Sequence, residues 1–307
     1  MSIKKYIVAY TSLIIAMICW SMTFIWYKQA YPNLTPITLV TLRLFVAAFL
    51  LVIVAIPFKL LNPVQLIDIP KFLILSFLEP FIYFLGESYG MKYVSSTLAS
   101  LIIATIPLFT PFAAWYMLRE KLNPGNYFGI ILSIAGVFLL IQTDRSDYSS
   151  LPLGIILMMI AVFSAIGFTI YAKKLSEKYN SFTIVVYQNI LGFLFFLPVF
   201  LVFEDYRNMF GNFDANLLVP VIKLAVFGSL LAFILFINTI KLIGVSRANV
   251  FTNLIPVFTA VFSYYLLHEQ FNIKRITGVI IVIAGLFLSQ IGTVIKVIKR
   301  NKKARIP

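Results

Sequence analysis

Cysteine is nearly absent. Cys19 is the single one in 307 residues, and one thiol forms no internal disulfide, so this is no disulfide scaffold. It reads as a small packed hydrophobe. Histidine is as scarce, with His268 alone. With no histidine cluster, no His-Glu-x-x-His motif and no cysteine pair, no metal site is expected, and metal-dependent membrane enzymes are disfavoured. A serine enzyme needs a histidine or lysine base beside its nucleophile, and the apolar runs offer none in a suitable place. No Gly-x-x-x-x-Gly-Lys-Ser/Thr loop occurs, which argues against an ATP-driven pump. Charge is the largest deficit. Charged residues make up 12% of the chain, against about 25% in soluble domains. Such a density cannot coat a water-facing surface of this size.

The residues present are apolar, at 61%, and they come in long runs. A helix crossing the hydrocarbon core needs about 20 apolar residues. Ten runs qualify: 6–27, 36–57, 70–90, 95–118, 125–142, 152–172, 182–203, 217–240, 248–267 and 274–294. The first is longer than a signal-peptide core of about 7–15 residues and lacks a small-residue cleavage site, so it reads as a retained helix. The breaks carry turn chemistry, as at Tyr31-Pro32-Asn33, Asn62-Pro63 and Asn123-Pro124-Gly125. The fold class expected is all-α integral membrane, with ten transmembrane helices.

The formal charge of +14 would suggest nucleic acid in a soluble protein. Here the bases sit between apolar runs and in the tail, where they hold helix ends at an anionic leaflet. No nucleic-acid partner is expected; membrane lipid is. With the N-terminus inside, 17 Lys and Arg fall on inside segments and 6 on outside ones. This bias places both termini in the cytoplasm.

The second half repeats the first. Thr97 to Leu139 matches Ser246 to Leu288 at a constant offset of 149, pairing Pro107 with Pro256, Glu120 with Glu269 and Gly136 with Gly285. The units read as a first five-helix repeat over 1–145, a second over 146–295, and a basic cytoplasmic tail over 296–307. Five is odd, so the second repeat lies inverted relative to the first. Inverted repeats recur in secondary transporters, because one fold inserted both ways supplies two similar gates around a midplane site. A duplicated scaffold without transport is the plainer alternative.

The run Tyr93-Val94-Ser95-Ser96-Thr97-Leu98-Ala99-Ser100, then Ile106-Pro107-Leu108-Phe109, Arg119-Glu120-Lys121-Leu122 and Gly129 to Gly136, resembles the EamA-type transporters of the drug/metabolite transporter superfamily. So does the second copy, with Gly244-Val245-Ser246-Arg247-Ala248, Ile255-Pro256-Val257-Phe258, His268-Glu269 and Gly278 to Gly285. The resemblance implies ten helices, cytoplasmic termini and a central cavity lined by the first four helices of each repeat. It implies export or uptake of amino acids or other small metabolites in a cell membrane, here a bacterial cytoplasmic one, with no cofactor. Glu79 and Glu87 depart from the family pattern. Their counterparts in the second copy are Gly228 and Phe236.

Ionisable groups inside a membrane each cost roughly 2.5–3.5 kcal/mol at a helix centre on insertion scales, and they usually face a cavity and a partner. Arg43, Glu79 and Glu87 qualify. From a rise of about 1.5 Å per residue, Arg43 lies about 10 Å from the outer end of its helix, Glu79 about 16 Å and Glu87 about 5 Å. Glu79, Tyr83, Gly86 and Gly90 share one stripe, with Glu87 at its edge. Two readings stay open. An Arg–Glu pair could lock two helices together. Alternatively, Arg43 could hold a substrate carboxylate in its fork while Glu79 carries a proton or binds an amine. The candidate cavity residues are Arg43, Glu79, Tyr83, Glu87, Trp20, Gln188 and Asn253. Ser21, Thr23, Tyr187, Asn189, Asn238 and Thr252 are weaker candidates, each more often an interhelical hydrogen bond.

Pro80, Pro107 and Pro256 are candidate hinges. Each frees a carbonyl, which lipid cannot satisfy, so these breaks should face protein or a wet cavity. Glu120 and Glu269 are expected to pair with Arg119, Lys121 or Lys274, or to support a turn, and His268 to be solvated. The glycine pairs Gly129 with Gly136 and Gly278 with Gly285 suit close helix packing. The partners expected are a small-molecule solute and lipid, with a homodimer left open. A lipid or lipid-linked cargo and a non-transporting sensor or scaffold are the rival functions.

Overall fold

The structure is a computed structural model. It describes residues 3–110, 151–204, 218–243, 251–274 and 276–285, with isolated positions at 128, 131, 132, 135, 136, 139, 248 and 288. Glu120, Gly129, most of the fifth run and the tail after 288 lie outside the described residues.

Everything regular among the described residues is helical. Helix α1 covers Ile3–Ala30, α2 Pro36–Ala55, α3 Leu66–Tyr93, α4 Ser96–Thr110, α5 Leu151–Ser176, α6 Ser181–Phe203, α7 Leu218–Leu242, α8 Phe251–Leu267 and α9 Ile276–Gly285. Six of these, α1, α2, α3, α5, α6 and α7, are long and apolar enough to cross a membrane. The others are shorter apolar helices within the described residues. The fold is therefore that of an all-helical, multi-pass membrane protein.

Local sequence sets the helix starts. Thr35 caps α2 by accepting from the Thr38 amide at 3.2 Å, with Pro36 in the first turn, where its missing N–H leaves nothing unsatisfied. Asn180 caps α6 through Thr183 N at 2.7 Å, and Ser95 caps α4 through Leu98 N at 3.2 Å. Outward-facing Phe45, Phe49, Ile53, Phe163, Leu194 and Leu201 remain exposed. Such a surface suits lipid, not water.

The dominant packing joins the first half to the second: α3 on α5, α2 on α6, α1 on α7, α1 on α8 and α4 on α8. Since lipid is as apolar as leucine, this association rests on close fit, with small residues letting backbones approach. Gly86 shows the mechanism. A Cβ there would lie 2.5 Å from the Leu157 carbonyl and 3.1 Å from the Ala161 amide nitrogen of α5. Gly90 and Gly154 continue the same seam. Gly86 and Gly90 thus serve helix packing, while Tyr83 and Glu87 turn elsewhere. Gly136 packs against α9 in the same way, its added Cβ falling 3.0 Å from the Gly278 carbonyl.

His268 is exposed, and its left-handed backbone (φ 52°) turns the chain at the end of α8. Glu269 follows. Its carboxylate accepts from the Ser96 amide at 3.0 Å and the Thr97 hydroxyl at 2.8 Å. It caps α4 from the other half of the chain, at the end of a helix dipole that favours negative charge.

Candidate functional site: a cavity beside broken helices

Helix α3 is interrupted where it matters. Glu79 has non-helical backbone angles (φ −143°, ψ 113°), and Pro80 follows it inside a wide π-helical segment, Phe77–Ile82. Pro80 has no N–H to continue the ladder. The disturbance is absorbed by neighbours. Ser164 of α5 donates to the Leu78 carbonyl at 2.6 Å. Gly192 of α6 leaves room for the proline ring, since a Cβ there would meet Pro80 Cγ at 2.2 Å. Helix α7 carries a second wide segment, Leu224–Leu231. There Trp20 of α1 donates its indole N–H to the Gly228 carbonyl at 3.3 Å. Wide turns of this kind gather at functional sites.

The other two prolines also follow breaks. The helical pattern of α4 lapses at Ala104 and Thr105, just before Pro107. In α8 a 3-10 turn, Phe251–Leu254, precedes the α-helical Ile255–Leu266, so Pro256 stands in a first turn instead of mid-helix.

Between these breaks lies a cavity of about 70 Å³, room for a few waters or a small solute. Both halves of the chain line it. Trp20, Arg43, Glu79, Tyr83 and Glu87 all reach it, with Thr23 and Thr252 beside them. Gln188 and Asn253 do not. Gln188 is buried with Oε1 unbonded, and Asn253 is fully buried with neither side-chain polar atom bonded among the described residues. Ser21 joins helices instead, its Oγ 3.1 Å from the Ile255 carbonyl. Asn189 bonds Val185 O of its own helix, Asn238 accepts from Ser181, and Tyr187 packs on Phe72.

Arg43, 2% exposed, is tightly held. Its Nε donates to Ser229 Oγ at 2.7 Å, its Nη1 donates to the Tyr27 hydroxyl at 2.8 Å, and its Cζ sits 4.1 Å from the Phe84 ring centroid. A stacked, forked guanidinium suits burial of this kind. Protein thus takes two of the five N–H donors of the fork expected to grip a substrate carboxylate. Arg43 does not ion-pair directly with an acid among the described residues. Tyr27 is its hydroxyl partner, accepting from Nη1. Glu87 accepts from Tyr83 at 3.0 Å. Glu79 stands apart. It is 6% exposed, and no hydrogen bond or ion pair forms on its carboxylate among the described residues.

Sequence reasoning missed the aromatic lining: Phe24, Phe84, Phe168, Phe233 and Phe236. Among the 30 phenylalanines of the chain, no local signal separates those facing a cavity from those facing lipid. It also missed Tyr27 and Ser229 as the partners of Arg43.

The start of α3 carries a second polar cluster. Asp68, buried at the start of α3, accepts from Lys71 Nζ and the Tyr179 hydroxyl, each at 2.7 Å, and from Lys178. Lys178 also reaches Gln65. Asn180 donates its amide N–H to Asn62 Oδ1 and its side-chain NH2 to Leu60 O, both at 2.8 Å. These contacts tie the segment 60–71 to 178–180, and so one half of the chain to the other. At the opposite end, Thr35 donates to Glu204.

The sequence profile of the EamA-like transporter family matches residues 7–142 and 152–290, and the chain belongs to that family. It is 27% identical over 285 residues to an uncharacterized transporter of Archaeoglobus fulgidus, covering 93% of this chain and 98% of that one. It is 28% identical over 234 residues to the uncharacterized transporter YetK of Bacillus subtilis, covering 73% and 68%. A solved crystal structure aligns with a TM-score of 0.67 at 12% identity, over 92% of this chain and 96% of that one; that likeness concerns the fold alone. The protein is a membrane transporter and not an enzyme.

Proposed function

We propose that the chain is a secondary transporter of a small metabolite, from the class of amino acids and related organic solutes, exported across a bacterial cytoplasmic membrane by alternating access. The observation that carries this reading is Glu79, a carboxylate without a protein partner among the described residues, set at a helix break on a cavity that both halves line. A partnerless buried acid is costly unless a ligand or proton completes it. In this reading ten helices form two inverted repeats with both termini inside. Breaks at Pro80, Pro107 and Pro256 act as hinges. The Asp68 and Lys178 cluster holds the inner end shut, and the cavity opens outward until the cluster parts.

Glu79 is the group that meets solute or proton; in the second case the carrier is proton-coupled. Arg43 and Glu87 set its surroundings. The aromatic lining also suits a lipid or lipid-linked cargo, and a lateral opening between α-helices would mark that case.

The test is flux through purified protein in liposomes, screening amino acids and small organic solutes with and without an imposed pH gradient. Gradient-dependent flux of a solute supports the reading. Flux indifferent to the gradient indicates a facilitator. No flux of any water-soluble solute contradicts the reading and moves the weight to lipid cargo or a non-transporting role.

A further inference from the structure

The charge arrangement at the cavity narrows the solute, and this step rests on the transport reading above. Three ionisable groups face the space, and protein already engages two. Arg43 has Nε on Ser229, Nη1 on Tyr27 and its face on Phe84. One N–H of Nη1 and both of Nη2 remain, and Nη2 lies against Gly228, where an added Cβ would be 2.9 Å away. Glu87 accepts from Tyr83. Glu79 has no such partner among the described residues.

A ligand carboxylate would therefore meet a guanidinium that protein already holds at two nitrogens, and it would enter a space that holds two acids and one base. A ligand ammonium would find a carboxylate with all its acceptor capacity open. Around Glu79 the walls are apolar: Trp20 packs edge-on against Phe233 and Phe236 at centroid distances of 5.2 and 4.9 Å. Such rings accept an aliphatic body and tolerate a nearby cation.

We propose that this cavity selects a small organic monoamine, with the ammonium on Glu79 and the apolar body against Trp20, Phe233 and Phe236. A zwitterionic amino acid is disfavoured, because its carboxylate must share Arg43 with Tyr27 and Ser229 and stand beside two acids. Burying a charge with incomplete pairing is a ground for discrimination against it.

Four ligands with one branched body and different heads test this: 3-methylbutylamine, leucine, 4-methylpentanoate and 3-methylbutan-1-ol. Titration calorimetry of the purified full-length chain in detergent reads each affinity. The amine binds at least about tenfold more tightly than the other three, a difference of about 1.4 kcal/mol. Glu79→Gln removes that preference, and Glu79→Asp, which keeps the charge, retains it. Thermal melts confirm that both variants are folded. Leucine or 4-methylpentanoate binding as tightly as the amine overturns the proposal. So does an amine affinity unchanged in Glu79→Gln, or no binding by any of the four. Amine binding without amine flux in liposomes upholds the recognition proposed here and contradicts transport.

Discussion

Gly228 makes room for Arg43. A Cβ at Gly228 would lie 2.9 Å from Arg43 Nη2 and 2.7 Å from Thr23 Cγ2. By the repeat offset of 149, Gly228 is the counterpart of Glu79. One half thus places an acid on the cavity where the other omits a side chain altogether, so that a guanidinium from α2 can lie across it. Gly228→Ala should push an arginine that Ser229 and Tyr27 already pin. Overpacking of this kind costs about 1–3 kcal/mol. The expected result is a lower melting temperature for the purified protein.

Tyr27 and Ser229 share Arg43. Tyr27→Phe keeps the ring and deletes the hydroxyl that accepts from Nη1. Leaving buried polar groups unsatisfied costs roughly 1–3 kcal/mol. The variant should melt earlier, and a double-mutant cycle with Ser229→Ala should show coupling, since both groups hold one guanidinium. Additive losses would mean that the two do not act on Arg43 together.

Gly86→Ala should separate α3 from α5. The added methyl would sit 2.5 Å from the Leu157 carbonyl, and backbone cannot move aside as a side chain can. We expect a fall in stability of about 1–3 kcal/mol, together with reduced flux, because Tyr83 and Glu87 ride on the same helix. Thermal melts and flux in liposomes read the two effects separately.

At the polar cluster, Asp68→Asn should destabilise more than Lys178→Gln. Removing the acid strands Lys71, Lys178 and Tyr179 together, whereas removing Lys178 leaves Asp68 with two donors. The hydrogen bond to Asp68 holds the Lys178 pKa above its ordinary 10.5. For a base raised in the folded state, the associated stability is fully present below the unfolded value and is lost as pH rises through the folded one. Melting temperatures should therefore show no contribution from this bond's titration between pH 6 and 9, and a decline should begin only in the alkaline range above the ordinary lysine value. A loss centred near neutrality would contradict the assignment.

Much of this was legible in the chain itself. The apolar runs announced ten spans, and six of them stand as long apolar helices among the described residues, because length and charge depletion decide whether a helix can cross lipid. Arg43, Glu79 and Glu87 stood out because ionised groups are expensive in an apolar run. The partners could not be read the same way. Tyr27 and Ser229 are ordinary residues on other helices, and only tertiary packing brings them to the guanidinium. Gln188 was singled out as a cavity candidate, yet it is buried and does not line the cavity, since polarity within an apolar run does not show which neighbour covers it. The glycine stripe on α3 misled in the same way, since periodicity shows that residues share a face but not which neighbour covers it. Glu269 was expected to pair with a base or to support a turn, and its carboxylate meets the first turn of α4.

The most direct test of the account is flux by wild-type protein and Glu79→Gln in the same liposomes, under one imposed pH gradient, with solute identified by the screen. Wild-type flux should follow the gradient, and the Glu79→Gln rate should fall at least about tenfold while membrane insertion and melting temperature hold. A folded Glu79→Gln variant that transports at the wild-type rate would contradict the assignment of Glu79 as the group that meets solute or proton.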